Sequence, residues 1–161
     1  MTKDKQEEQQ PAAPLQVMVH TQYVRDLSFE SPAAPDIFVQ NQAQPTIDLG
    51  INVQTRMMDA HTHEVMLMIK LTAKTDTDTA FIVELAYGGV FGLPTMEEAH
   101  KKLFLLIEAP RLLFPFARNI VANAVRDGGF PQVLINPIDF GMLYQQQMEQ
   151  QQGAAAPANQ D

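Results

Sequence analysis

The chain has 161 residues and no cysteine, with 11 basic against 19 acidic side chains and a net charge of −8. That length suits one domain with tails; the lack of cysteine excludes a disulfide framework and thiolate chemistry, and the negative charge argues against non-specific nucleic-acid binding, which needs a basic footprint. The first eight residues have no apolar core of a secretory signal, and no apolar run approaches the roughly 20 residues of a membrane span, so a soluble cytoplasmic protein without membrane insertion is expected.

Residues 1–14 are polar and end in Pro11-Ala12-Ala13-Pro14, which predicts a disordered N-terminal tail. From Leu15 to Phe29 the sequence alternates. Leu15, Val17, Val19, Thr21, Tyr23, Arg25, Leu27 and Phe29 fall on one parity, while Gln16, Met18, His20, Gln22, Val24, Asp26, Ser28 and Glu30 fall on the other. Successive strand side chains point to opposite faces, so the odd face is expected inward and the even face outward. The outward face carries Asp26 and Glu30, and a sheet face that shows acids to water serves either solubility or a basic partner.

A loop holding Pro32, Pro35 and Pro45 follows. The second strand sets Ile47, Leu49, Ile51 and Val53 against Thr46, Asp48, Asn52 and Gln54. After a polar turn from Asp59 to Glu64, the third sets Val65, Leu67, Ile69 and Leu71 against Glu64, Met66, Met68 and Lys70. After a turn at Thr75–Asp78, the fourth sets Phe81, Val83, Leu85 and Tyr87 against Ala80, Ile82, Glu84 and Ala86. Short turns between consecutive strands predict an antiparallel sheet, and the longer segment 31–45 has the reach to cross it. Residues 15–94 hold nine acids and four bases, whereas residues 95–144 hold five of each, so the acidity sits on the strand half.

The second half is helical. Thr95 followed by Glu98 has the spacing of a capping box and opens a helix to about Ala109. Pro110 and Pro115 are expected to break or kink it, and a further helix runs to Asp127, stopped by Gly128-Gly129. Within it Phe116, Ile120 and Ala124, and Val121 and Val125, recur at helical spacing with few polar residues between, which predicts burial on more than one side and hence self-association. A last helix starts at Asn136 or Asp139 and fades into a Gln-rich, then Gly-Ala-Pro-rich, tail over 145–161. Strands first and helices afterwards give an α+β fold, with a four-stranded antiparallel sheet followed by helices packed on one face.

No enzyme constellation is present. His61-x-His63-Glu64 lacks a convergent third ligand and reads as a polar turn. Gly88-Gly89-x-x-Gly92 lacks the Lys-Ser/Thr of a phosphate loop and is read as a turn from sheet to helix; no serine sits in a nucleophile elbow. The aromatics Phe38, Phe91, Phe114, Phe116, Phe130, Phe140 and Tyr144 cluster beside prolines and glycines, where they suit core packing or the wall of a groove. Met18, Met66 and Met68 share the outward sheet face, as befits adaptable apolar contact or packing under a loop.

Five stretches in one order resemble the SecB protein-export chaperones. They are Asp26-Leu27-Ser28-Phe29-Glu30-Ser31-Pro32; Phe81-Ile82-Val83-Glu84 leading into Gly88-Gly89-Val90-Phe91; Leu113-Phe114-Pro115-Phe116-Ala117-Arg118; Gly129-Phe130-Pro131-Gln132; and Asn136-Pro137-Ile138-Asp139-Phe140 before the glutamines. The resemblance spans residues 15–150 and implies one chaperone domain there, with residues 151–161 a disordered C-terminal tail. It implies a homotetramer, a dimer of dimers, without cofactor, metal or catalysis, that binds unfolded precursor proteins and delivers them to the ATPase SecA. It further implies SecA contact at Asp26, Glu30, Ile82 and Glu84. Contact between dimers is implied at Val83, Leu85 and Tyr87, with Ile120 and Ala124 of the helix in the same layer. A client groove is expected at Phe38, Phe91, Phe114, Phe116, Phe140 and Tyr144. The rival readings are a chaperone of the same family serving a toxin–antitoxin system, and a non-catalytic oligomeric scaffold.

Overall fold

The computed structural model describes residues 16–40 and 44–154. Strand β1 (Met18–Glu30) is followed by a 3-10 turn at Asp36–Phe38, then β2 (Thr46–Met57), β3 (Thr62–Lys74) and β4 (Thr79–Gly92). The helical half comprises α1 (Glu98–Leu103), a π-helical turn at Phe104–Glu108, α2 (Ala109–Asp127) and α3 (Phe140–Ala154). Residues 1–14, read as a tail, lie outside the described residues, as do residues 155–161. Residues 151–154, also read as tail, continue α3.

The sheet order is β1-β4-β3-β2, antiparallel throughout. β2, β3 and β4 form a meander. Its first turn is closed by Asp59, whose Oδ1 accepts the amide N–H groups of His61 and Thr62 at 2.9 and 2.8 Å. Its second is closed by the Thr75 N–H donating to the Asp78 carbonyl at 2.8 Å. β1 and β2 therefore lie at opposite edges, and the segment between them crosses the sheet as its length suggests.

Two bulges correct the simple alternation expected of β1. Val19 pairs with Phe91 but Thr21 with Val90, leaving His20 extra; Val24 pairs with Tyr87 but Asp26 with Ala86, leaving Arg25 extra. Each extra residue reverses the facing of everything beyond it. Directly paired residues share a face, so Val24 joins Tyr87 on the helix side while Tyr23, expected inward, joins Gly88 on the open side. Past the second bulge the expected parity holds, with Phe29 opposite Val83, and Asp26, Ser28 and Glu30 on the open face.

Gly88 and Gly89 do not turn the chain, as expected; they lie inside β4, which runs on to Gly92. A Cβ on Gly88 would come within 2.8 Å of the Tyr23 ring, and one on Gly89 within 2.9 Å of Leu113, so the missing side chains let groups on both faces close over the strand.

The core lies between the sheet and α2. Leu113, Ala117, Val121 and Val125 recur every fourth residue and pack on Leu67, Ile69 and Leu71 of β3 and on Val83, Leu85 and Tyr87 of β4. Each Val or Leu so buried contributes roughly 1.5–3 kcal/mol relative to exposure. The expected capping box does not form: α1 starts at Glu98 behind Glu97, with no side-chain cap. Nor do the prolines break the helical run. Pro110 follows a π-helical turn, whose wider ring relieves the clash of a proline with the preceding turn, and Pro115 is carried inside α2. α2 ends in a Schellman motif, with Phe130 N–H donating to the Val125 carbonyl, Gly129 N–H to that of Arg126, and Gly129 at φ +91°. Asp139 caps α3, its Oδ1 accepting the Met142 N–H at 3.0 Å.

Candidate functional site

Three surfaces stand out: the open sheet face, the aromatic end of the sheet, and the outward side of α2. No helix among the described residues is long and apolar enough to cross a membrane.

On the open face the antiparallel pairing sets up cross-strand rows. Glu30 lies opposite Ile82, which lies opposite Thr72. Ser28 lies opposite Glu84, which lies opposite Lys70, itself opposite Gly50. Asp26, Ala86, Met68 and Asn52 form the next row. The structure thus brings Asp26, Glu30, Ile82 and Glu84 onto one face. A shallow depression of about 470 Å³ lies among Asp26, Asn52, Gln54, Met68, Lys70 and Glu84. Lys70 Nζ stands 2.8 Å from Glu84 Oε1, both side chains well exposed. Glu84, and more weakly Glu30, raises the Lys70 ammonium above its ordinary pKa.

One end of this face is held by a charged network that the sequence reading missed. The Tyr23 hydroxyl reaches over Gly88 and donates to Glu64 Oε1, while Arg56 Nε donates to Glu64 Oε2 at 3.0 Å. Glu64, only 7% exposed, thereby links β1, β3 and β2. Its pKa is lowered, chiefly by the Tyr23 hydrogen bond, burial opposing and Arg56 assisting. Burial and the Glu64 carboxylate raise the Tyr23 phenol. A carboxylate with a depressed folded-state pKa contributes stability that is present above its unfolded pKa and lost as pH falls through the folded one. Replacing Tyr23 with Phe is therefore expected to cost about 1.5–3 kcal/mol at pH 7, the range of a hydrogen bond to a charged group. That difference shrinks once acid protonates Glu64. Urea melts of both proteins at pH 7 and pH 3 check this; a difference unchanged between the two pH values would contradict it.

The aromatic end gathers Phe29, Phe38, Phe81 and Phe130. Ring centroids are 4.8 Å apart for Phe81 and Phe130, 5.0 Å for Phe38 and Phe130, and 6.0 Å for Phe29 and Phe81. A groove of about 370 Å³ opens beside them, lined by Ile37, Pro45, Ile47, Phe81, Phe130 and Val133. None of the six aromatics expected in a groove lines this one, and the aromatic it leaves partly exposed is Phe130. Its signal was present in Gly128-Gly129-Phe130-Pro131, where the helix stop aims the ring back over the sheet. The groove adjoins the free edge of β2, where Ile47 and Leu49 are exposed.

Of the aromatics expected in a groove, Phe38 and Phe116 are exposed, and Tyr144 is half-buried with Lys102 Nζ 5.8 Å from its ring. Phe91, Phe114 and Phe140 are core side chains, with Phe91 against Phe104 and Phe114 edge-on to Phe140 at 5.9 Å, and they offer no surface within this chain. Val83, Leu85 and Tyr87 are likewise covered, by α2 of the same chain. The outward side of α2 presents Leu112 and Phe116, with Ile120 and Ala124 half-buried and Leu134 of the following segment 70% exposed nearby. α2 is thus covered by the sheet and, at Phe114, by Phe140 of α3, while this outward stripe is left for the self-association that the sequence predicts.

His63 is buried on the helix side with Nδ1 lacking a hydrogen-bond partner, and its pKa is lowered, chiefly by burial. No group of three or more metal-ligating side chains converges among the described residues.

A family model described as preprotein translocase subunit SecB matches residues 6–151. The protein-export protein SecB of Rhizorhabdus wittichii is 50% identical over 140 residues, covering 87% of this chain and 84% of its own. That of Maricaulis maris is 46% identical over 144 residues, covering 89% and 83%. Among solved structures, the chain is similar to the Mycobacterium tuberculosis Rv1957 SecB-like chaperone in complex with a ChAD peptide from Rv1956 HigA1 antitoxin. The TM-score is 0.64 at 12% identity, over 76% of this chain and 90% of that one, a likeness of fold alone.

Proposed function

The chain belongs to the SecB family of protein-export chaperones, and from that premise we propose that it works in the cytoplasm as a homotetramer, a dimer of dimers. It holds unfolded precursor proteins and passes them to SecA. The observation that carries this reading is one chain presenting two separate surfaces of different chemistry. The acidic face of Asp26, Glu30 and Glu84, with Ile82 among them, suits a basic segment of SecA. The aromatic end suits apolar chain of many sequences.

Unfolded chains expose apolar segments, and these gain by burial on Phe38 and Phe130, which pack over the buried Phe81. The free β2 edge beside the groove offers backbone pairing to an extended chain. Folded proteins have no equivalent segment to offer, and several grooves in one assembly add avidity. The role is binding, without catalysis or cofactor, and no nucleic acid is involved.

Val83, Leu85 and Tyr87 act on assembly through α2: they fix the helix whose outward stripe, Leu112, Phe116, Ile120 and Ala124, meets another copy. The export reading is favoured over a toxin–antitoxin role because relatives at 46 and 50% identity are protein-export proteins, whereas the antitoxin-bound neighbour shares 12%.

The test is suppression of aggregation when a denatured precursor is diluted into buffer with this protein. Light scattering is expected to fall to baseline at one assembly per precursor without nucleotide. Scattering unchanged by an excess would refute the chaperone role.

A further inference from the structure

The acidic face contains its own competitor. Lys70 stands in the row of Glu84, its Nζ 2.8 Å from the carboxylate, at the rim of the depression that Asp26 and Glu84 share. Both side chains are more than half or about half exposed, at 61% and 50%, so the pair is held by little beyond its own attraction and opens readily. On its other side Lys70 faces Gly50, where an added Cβ would meet nothing closer than 3.9 Å. One row along on the same strand stands Asp48, opposite Thr72. A displaced ammonium therefore has open space to move into, and a second carboxylate on the diagonal to move toward.

We propose that Lys70 is a specificity-determining residue of the acidic face, a tethered cation that occupies Glu84 in the free protein and that a basic partner must displace. This rests on the reading of that face as the dock for a basic segment. The consequence is selectivity by charge density. A lone cation gains little at Glu84, because it only replaces one already there. A segment that sets several cations on Asp26, Glu30 and Glu84 together gains contacts that Lys70 alone does not make. An arginine has a further advantage, since its planar fork takes both carboxylate oxygens where the lysine ammonium takes one.

The experiment is calorimetric titration of a short synthetic arginine-rich peptide into the full-length protein, using Lys70→Ala, Lys70→Gln, Glu84→Gln, Asp26→Asn and the double variant Lys70→Ala with Glu84→Gln. Both Lys70 variants are expected to bind about 3- to 10-fold tighter than the parent at low salt, the scale of removing one unit charge some 4 Å away in water. In the Glu84→Gln background the gain from Lys70→Ala disappears, because no carboxylate remains to be freed. A parent-like or weaker affinity in both Lys70 variants, with Glu84→Gln and Asp26→Asn still weakening binding, overturns the role of Lys70 and leaves the acidic dock standing. A gain that persists undiminished in the Glu84→Gln background also overturns it, since Lys70 then acts as background charge. If neither Glu84→Gln nor Asp26→Asn changes the affinity, the docking reading itself fails. Melting curves of each variant confirm that the exposed substitutions leave the fold intact.

Discussion

Glu84→Lys is expected to abolish SecA binding while leaving the hold on unfolded chains unchanged. Glu84 lies mid-sheet on the open face, flanked across the strands by Ser28 and Lys70 and one row from both Asp26 and Ile82. Reversing its charge removes an acceptor and adds a repulsive cation beside Lys70, so that two like charges meet any basic segment that approaches. Where the contact buries Glu84, losing one partner of a hydrogen-bonded charge pair costs about 2–5 kcal/mol, at least roughly 30-fold in affinity. Asp26→Lys should act in the same direction. The aromatic groove is formed at one end of the sheet and α2 covers the opposite face, so client binding has no reason to change. Titration of SecA against parent and variant, paired with an aggregation assay, checks both halves. Retained SecA affinity would contradict the assignment of the face, and loss of both activities together would indicate a misfolded variant. Binding by the parent should weaken with added salt, because these charges are exposed.

Ile120→Asp is expected to break the assembly into smaller species with the protomer still folded. The outward stripe of α2 leaves Phe116 53% exposed and Leu134 70% exposed, with Ile120 half-buried between them. A second copy seated there would bury the exposed part of these side chains, a fraction of the roughly 1.5–3 kcal/mol of full burial for each, and an unpaired carboxylate in the contact would forfeit that gain and add a desolvation cost. Charge placed instead at Leu85, which is 3% exposed beneath α2, would unfold the protomer and say nothing about assembly. Sedimentation velocity at micromolar concentration, with circular dichroism to establish folding, distinguishes the outcomes. A folded variant that keeps the parent mass would contradict the placement of the contact.

Much of the fold was legible because the sheet alternates with period two and its turns carry turn chemistry. Asp59 and Thr75 close the hairpins, Gly128-Gly129 ends α2, and Asp139 caps α3, each as its residue type implies. What escaped is decided by tertiary contacts that local pattern does not encode. A bulge at His20 swung Tyr23 to the open face, where Glu64 gives its hydroxyl a partner, and a second at Arg25 restored the parity. Gly88 and Gly89 look like a turn by composition, yet they are narrow places in a strand over which Tyr23 and Leu113 close. Pro110 looks like a breaker until the π-helical turn before it is seen. The acidic residues were readable as one face because a single parity holds from Asp26 to Glu30 and from Ile82 to Glu84. The aromatics were harder, since Phe91 and Phe38 both stand near strand or loop ends and only packing makes one core and the other surface.

The most direct measurement of the chaperone role is light scattering on a sizing column, with the protein alone, with an unfolded precursor and with the same precursor folded. A mass near four times the 18.0 kDa chain that rises with the unfolded precursor and not with the folded one is the expected result. A tetramer indifferent to unfolded chains would instead mark a scaffold, and a monomer that binds neither form would contradict both the assembly and the function.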